Sequence, residues 1–250
     1  MVRYRVARVI IQQPVYRLVH ALAVLGALAF GAFGLRSDNA TAQSSAQVDL
    51  ALILAIDCSY SVDQREYKLQ ITGTAQAFRR PEIVAAIQSG AYRRIAVSII
   101  QWSDLAHQSI VIPWQVISDA QSAGRLANMI ERLPRSLAEG GTSITAAMGF
   151  AANMLRSVPF QADRMVMDIA ADGRNNNGGD PRPMRDAVIA QGITINGLSI
   201  LNEVPTLDKY FKLYITGGPA NFVMPANDYA AYSAAIYRKL LREIIGPRLS

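Results

Sequence analysis

The chain has 250 residues, 51% hydrophobic and 18% charged, a balance that supplies a core and excludes a disordered or collagen-like polymer. Its formal charge of +6 sits mostly at the start: residues 1–42 carry Arg3, Arg5, Arg8, Arg17 and Arg36 against Asp38, which leaves the rest of the chain at only +2. So neutral a body offers no basic footprint for nucleic acid, and the single cysteine, Cys58, excludes an intrachain disulfide and a cysteine-built zinc site.

Residues 3–17 are rich in arginine and free of acids, Ala21 to Leu35 is an uncharged apolar run of 15 residues, and Ala40-Thr41-Ala42 follows. This is the arrangement of a secretory signal peptide over residues 1–42, with processing after Ala42. The run is shorter than the roughly 20 residues that span a bilayer, so a cleaved leader is favoured over the alternative, a retained membrane anchor. The expected location is periplasmic or secreted. Residues 43–47 read as a short polar linker, and residues 48–250 as one domain.

Val48 to Ile56 is a nearly continuous apolar run, the pattern of a strand buried on both faces. Asp63 with Glu66 three residues on has the form of a capping box and opens a helix to about Phe78. Arg94 to Trp102 is a second strand, and Ser109 to Trp114 a short third one, close enough to be its hairpin partner. Ser118 and Asp119 open a helix to about Leu133, and a further helix covers Ser143 to Val158. A fourth strand at Met165 to Ala170 precedes a helix containing Arg185 to Gln191, which Gly192 stops. Ile193 to Ile200 is a fifth strand and Asn221 to Met224 a short sixth. Asn227 or Asp228 caps a final helix through Ile245. In that helix Tyr229, Tyr232, Ile236, Leu240 and Ile244 form an apolar stripe, with Arg238, Lys239 and Arg242 as its solvated face. Strict alternation of this kind predicts a doubly wound α/β fold: a mostly parallel central sheet, one short antiparallel strand, and helices on both faces.

In such folds ligands bind beyond the carboxyl ends of the strands. After the first strand comes Asp57-Cys58-Ser59-Tyr60-Ser61, after the fourth Asp172-Gly173-Arg174-Asn175-Asn176-Asn177-Gly178-Gly179-Asp180, and before the helix at 143 Gly140-Gly141-Thr142. Carboxylates and hydroxyls without sulfur or imidazole suit a hard divalent cation such as Mg²⁺, with Mn²⁺ or Ca²⁺ as alternatives. Three neutral hydroxyls leave most of the metal's charge uncompensated, so a partner's Asp or Glu would complete the shell.

The trio Asp57-x-Ser59-x-Ser61, Thr142 and Asp172 together resemble the metal-ion-dependent adhesion site of von Willebrand factor A domains. The order of strands and helices over about residues 48–245 agrees. The segments Gln101-Trp102-Ser103, Ile195-Asn196-Gly197-Leu198 and Gly217-Gly218-Pro219 resemble an exported bacterial subgroup of uncharacterised function. The resemblance implies that Ser59 and Ser61 bind the metal directly, that Thr142 binds directly or through water, and that Asp57 and Asp172 act largely through water. Two departures stand out. Ile169-Ala170-Ala171 lacks the serine that the subgroup carries near the aspartate, and Ala220-Asn221 stands where Gly-Ala is expected.

The expected function is therefore a non-enzymatic binding module that engages an acidic group on a protein partner through a divalent cation. The alternative is a metal-free scaffold of the same fold. A metal-dependent hydrolase using Asp57, Asp172 and Asp180 ranks below both. His107 is the only histidine after the leader, no Gly-x-Ser-x-Gly elbow exists, and no phosphate-cradling glycine motif follows the first strand, so no catalytic or nucleotide-binding residue is expected. Cys58 is expected to be a packed residue beside the site.

Overall fold

Seven consecutive residues of Leu, Ala and Ile, Leu50 to Ile56, give the central strand two apolar faces, and the fold is built outward from it. The computed structural model describes residues 46–137 and 140–246; the leader lies outside the described residues. The elements in chain order are β1 (Gln47–Val48), β2 (Leu50–Asp57), α1 (Gln64–Phe78), α2 (Pro81–Gln88), β3 (Ile95–Trp102), β4 (Gln108–Ile117), α3 (Ala120–Glu131), α4 (Ile144–Arg156), β5 (Gln161–Ala162), β6 (Met165–Ala171), α5 (Arg182–Ile189), β7 (Ile193–Ile200), α6 (Leu207–Tyr210), a π-helical turn (Phe211–Ile215), β8 (Val223–Ala226) and α7 (Tyr232–Ile245).

Six strands form the main sheet in the order β4-β3-β2-β6-β7-β8. Every neighbouring pair is parallel except β3 with β4. Leu50, Leu52, Leu54 and Ile56 of β2 face one core, with Tyr67 and Ile71 of α1, Ile83 of α2, Leu126 of α3 and Leu240 of α7. Ala51, Ile53 and Ala55 face the other, with Ala147 and Met148 of α4, Val188 of α5 and Phe211. All eight β2 residues are buried, and each buried Leu or Ile contributes roughly 1.5–3 kcal/mol. The doubly wound α/β architecture expected from the sequence is thus present.

Several details differ. The antiparallel strand is ten residues long, not short. It continues past Pro113 because an edge strand tolerates a residue that cannot donate to a ladder, and its register against β3 slips twice. The helix α2, the π-helical turn and the small parallel pair β1–β5 had no periodic signal long enough to read. The final helix begins at Tyr232, and Asp228 instead accepts from Ala231 N at 2.8 Å in the preceding turn.

Lys239 corrects the reading of that helix as having a solvated basic face. It is fully buried, with Nζ 2.7 Å from Asp168 Oδ1 and a second ion pair to Glu243 Oε1. Asn196 Nδ2 donates to the same Glu243 oxygen at 2.9 Å. A buried carboxylate needs such partners; Asp168 supplies the demand from β6, so a lysine on α7 turns inward. Arg242 lies 3.9 Å over the Phe222 ring instead of standing free in solvent. Burial, followed by the Glu243 charge, pushes the Asp168 carboxyl up to about 7.

The subgroup motifs also gain physical reasons. Asn196 Oδ1 accepts from Phe222 N at 3.0 Å, and a Cβ on Gly197 would collide with the Phe211 ring. Ala220 holds φ at 54°, a left-handed conformation that glycine adopts at lower cost, at a position where the resemblance leads one to expect glycine.

Candidate functional site

Three loops meet beyond the carboxyl ends of β2, β3 and β6. Asp57 is the last residue of β2 and is fully buried. Its Oδ1 accepts from Ser59 N at 2.7 Å, which fixes the turn that follows. Ser59 Oγ lies 3.2 Å from Ser61 Oγ, and Ser61 Oγ donates to Asp172 Oδ1 at 2.6 Å. One polar chain thus joins four of the five residues singled out from the sequence, across 111 positions between Ser61 and Asp172.

Thr142, the fifth, is 4% exposed and borders the same cluster: a Cβ on Gly173 would lie 3.7 Å from its Oγ1. Its position is set by the asparagine run. Asn176 Oδ1 accepts from Thr142 N at 2.8 Å, and Thr142 O accepts from Asn176 N at 2.9 Å and Asn177 N at 3.2 Å. Asn175 Oδ1 accepts from Thr145 N at 3.1 Å, beside the start of α4. The run therefore ties the β6 loop to the Thr142 loop.

The rest of the frame is equally fixed. Tyr60 N donates to Gly140 O at 2.9 Å, and Ser143 N to Ser103 O at 2.7 Å. Arg135 Nη2 donates to Cys58 O and Ser59 O at 3.0 Å each. Gln101 is buried and holds the segment around Arg135: its Oε1 accepts from Ser136 N at 2.9 Å while its Nε2 donates to Pro134 O at 2.8 Å. Arg135 carried no signal in the sequence, because it lies in an irregular segment without a motif. Tyr229 was masked by helical aliasing: it matched the stripe of α7, but it precedes that helix and its hydroxyl donates to Asp172 Oδ2 at 2.9 Å. Burial, then the nearby Asp172 charge, raises the Tyr229 phenol far above its ordinary range, so it remains a donor.

The electrostatics carry one conspicuous imbalance. Asp57 Oδ2 is buried without a hydrogen-bond partner. Burial first, and the Asp172 carboxylate second, push the Asp57 carboxyl up to about 7. Two buried carboxylates share the site, and Arg135 partly offsets their charge from the side. The donor set fits a hard cation: hydroxyls and carboxylates, including an orphaned anionic oxygen. Among the described residues no three Asp, Glu, His or Cys side chains converge, so any such centre depends on the hydroxyls. Cys58 is buried, and burial followed by the Asp57 charge pushes its thiol up to about 12, which makes it a poor nucleophile. His107 Nδ1 lies 2.8 Å from Asp104 Oδ1, outside this chain of contacts. Asp180 is bound instead to Arg182, at 2.6 Å.

Residues 47–248 match the model of a family described as "Protein of unknown function (DUF1194)". The chain belongs to that family. No curated protein matches it. Among solved structures, this DUF1194 chain resembles the proximal thread matrix protein 1 of the mussel byssus with a zinc-occupied adhesion-site motif (TM-score 0.58, 17% identity, covering 80% of this chain and 48% of that one). It also resembles a von Willebrand factor type A protein from Catenulispora acidiphila (TM-score 0.56, 17% identity, 80% and 43% covered). A third is the pilus adhesin SpaC from Lactobacillus rhamnosus GG in an open conformation (TM-score 0.54, 15% identity, 81% and 31% covered). The chain spans less than half the length of these structures. At such identities the likeness establishes the fold, that of von Willebrand factor A domains.

Proposed function

We propose that this DUF1194 protein is an exported, non-enzymatic binding module that engages a carboxylate on a protein partner through a divalent cation. The observation that carries the reading is the convergence of Asp57, Ser59, Ser61 and Asp172 in one hydrogen-bonded chain beside Thr142, with Asp57 Oδ2 buried and unpartnered. Ser59, Ser61 and Thr142 would hold the ion through neutral hydroxyls, with Asp57 and Asp172 offsetting its charge through water. A cation held by neutral donors supplies an electrophilic position for an outside anion. Mg²⁺ is the proposed ion; Mn²⁺ and Ca²⁺ share its oxygen chemistry, and the zinc-occupied motif of the byssal neighbour adds Zn²⁺ to the ions worth testing. His107, the only histidine after residue 42, pairs with Asp104 outside this chain of contacts, which argues against a serine–histidine nucleophile. Residues 1–42 are proposed to be removed on export, which N-terminal sequencing of the mature protein checks; an intact Met1 on a membrane-bound product would favour the anchor.

One observation favours a second reading, a metal-free scaffold. Both oxygens of Asp172 already accept hydrogen bonds, from Ser61 and Tyr229, so a closed arrangement without metal is available. Thermal melting with chelator and with each of the four cations separates the two. A cation-dependent rise in wild type that the Ser59→Ala/Ser61→Ala variant loses supports the metal centre; identical melting under all conditions supports the scaffold.

A further inference from the structure

The three asparagines of the β6 loop are held in different ways. The Asn175 amide is fixed at both ends: Oδ1 accepts from Thr145 N at 3.1 Å, and Nδ2 donates to Gly179 O at 2.7 Å. Asn176 Oδ1 accepts from Thr142 N at 2.8 Å. The Asn177 side chain makes no hydrogen bond among the described residues; only its backbone N is tied, to Thr142 O. Its amide abuts the loop before Thr142, where a Cβ on Gly141 would lie 3.2 Å from Asn177 Nδ2 and 3.3 Å from Asn177 Cβ.

The backbone nitrogens sort the three residues in the same way. An asparagine amide is open to attack by the backbone nitrogen of the residue that follows it. For Asn175 that nitrogen belongs to Asn176, and for Asn176 to Asn177; both donate to Thr142 O, at 2.9 and 3.2 Å. Each of these nucleophiles also carries a side chain that crowds the approach. For Asn177 the nitrogen belongs to Gly178, which has no side chain, is exposed and holds φ at 95°, a conformation that suits glycine. Among the described residues the Gly178 N–H donates to no group. A free amide, a free neighbouring nitrogen and open access to water thus meet at one position of the three.

We propose that Asn177 is a site of spontaneous deamidation, a covalent modification that sets a new carboxylate beside the Thr142 loop. The Gly178 nitrogen gives up its proton and attacks Asn177 Cγ. A C–N bond forms, the Cγ–Nδ2 bond breaks, and Nδ2 leaves with that proton as ammonia, which closes a succinimide ring. Water then opens the ring at Cγ or at the backbone carbonyl carbon, giving isoaspartate or aspartate. The balance is one water consumed and one ammonia released, with no change of oxidation state. Either product replaces a neutral amide by an anion next to Gly141 and Thr142. A cation site binds more tightly as the charge around it grows more negative, so the modified protein holds a divalent cation more firmly. This charge effect rests on the metal-dependent reading above; the conversion itself does not.

The test incubates the folded mature protein in mildly alkaline buffer beside its urea-unfolded form and an Asn177→Gln variant, whose longer side chain disfavours the ring. Peptide mapping by mass spectrometry then locates each amide-to-acid conversion. Conversion is expected to accumulate in the folded protein at Asn177, with Asn175 and Asn176 retained as amides, and to be absent from this segment of the Gln variant. A folded protein that keeps Asn177 while the unfolded chain converts it, or conversion centred on Asn175 or Asn176, overturns the proposal. Asn177→Asp reproduces the aspartate product, and calorimetric titration with Mg²⁺ reads its effect. The variant should bind about two- to fivefold more tightly than unmodified wild type, the range of a solvent-screened charge interaction. Affinity that is equal or weaker overturns the charge effect and leaves the modification standing. Mg²⁺ binding by neither protein overturns the proposed metal centre, and the charge effect with it, while the mapped conversion still decides the modification.

Discussion

Asp57→Asn should stabilise the metal-free protein and weaken its response to metal. The asparagine carbonyl can still accept from Ser59 N, and the amide nitrogen replaces an oxygen that has no partner. What disappears is a buried charge. Burial and the Asp172 carboxylate raise the Asp57 carboxyl from 3.8 to about 7, and at about 1.4 kcal/mol per pH unit this bounds the cost of ionisation near 4 kcal/mol. Leaving the new amide unpaired returns roughly 1–3 kcal/mol of that. The net expectation is a gain of roughly 1–3 kcal/mol, or about 3–10 °C for a domain of this size. The sign follows from linkage: a raised carboxyl makes the native state hold the proton longer than the unfolded chain, so wild-type stability falls as pH rises from about 4 towards 7. The advantage of the variant should therefore be largest at pH 8 and fade by pH 5. With Mg²⁺ at a hundredfold excess over its dissociation constant, wild type gains about 2.7 kcal/mol, and the order of the two proteins closes or reverses. The assay is thermal melting followed by circular dichroism, with chelator and with Mg²⁺, at both pH values. A variant less stable than wild type in chelator at pH 8 would refute the reasoning, because it would mean that the two carboxylates hold the loops together without a cation.

Other expectations concern the frame. Asp168→Asn should flatten part of the pH dependence between about 4 and 7, because the Asp168 carboxyl, raised to about 7 by burial, takes up a proton in the native state across that window; melting of both proteins at half-unit steps checks it, and parallel profiles would contradict it. Lys239→Met leaves two buried carboxylates without their cation and should cost about 3–5 kcal/mol, read by urea unfolding, with part of the loss recovered when combined with Asp168→Asn. Gly197→Ala should cost roughly 1–3 kcal/mol by overpacking against Phe211, measured in the same way.

The sequence exposed the parts of the molecule where one local rule governs several residues at once. The strands β2, β3, β6 and β7 were legible because apolar runs bounded by polar loops have few other solutions. The capping box at Asp63 and Glu66 forms as read, with Asp63 Oδ1 accepting from Glu66 N at 2.7 Å. The convergence of Asp57, Ser59, Ser61 and Asp172 followed from the rule that strand ends in a parallel sheet gather at one edge. What escaped depends on tertiary pairing. Lys239 looks like any surface lysine until Asp168 is placed opposite it. Tyr229 obeys helical spacing while belonging to a turn; it packs in the core as periodicity implies, and periodicity carries no sign that its hydroxyl also reaches Asp172. Arg135 acts through its reach to two backbone carbonyls, a role that leaves no pattern. The eight residues of α2 are too few for periodicity to separate from a turn.

The central claim is that one divalent cation sits among these loops, and the most direct measurement is anomalous diffraction from crystals of the mature protein grown with Mn²⁺. The account predicts one strong peak at roughly 2.0–2.6 Å from Ser59 Oγ and Ser61 Oγ, the range of hard cations on oxygen, with Asp57 and Asp172 around it. The absence of a peak there at saturating Mn²⁺, with the Ser61–Asp172 and Tyr229–Asp172 hydrogen bonds intact, would contradict it.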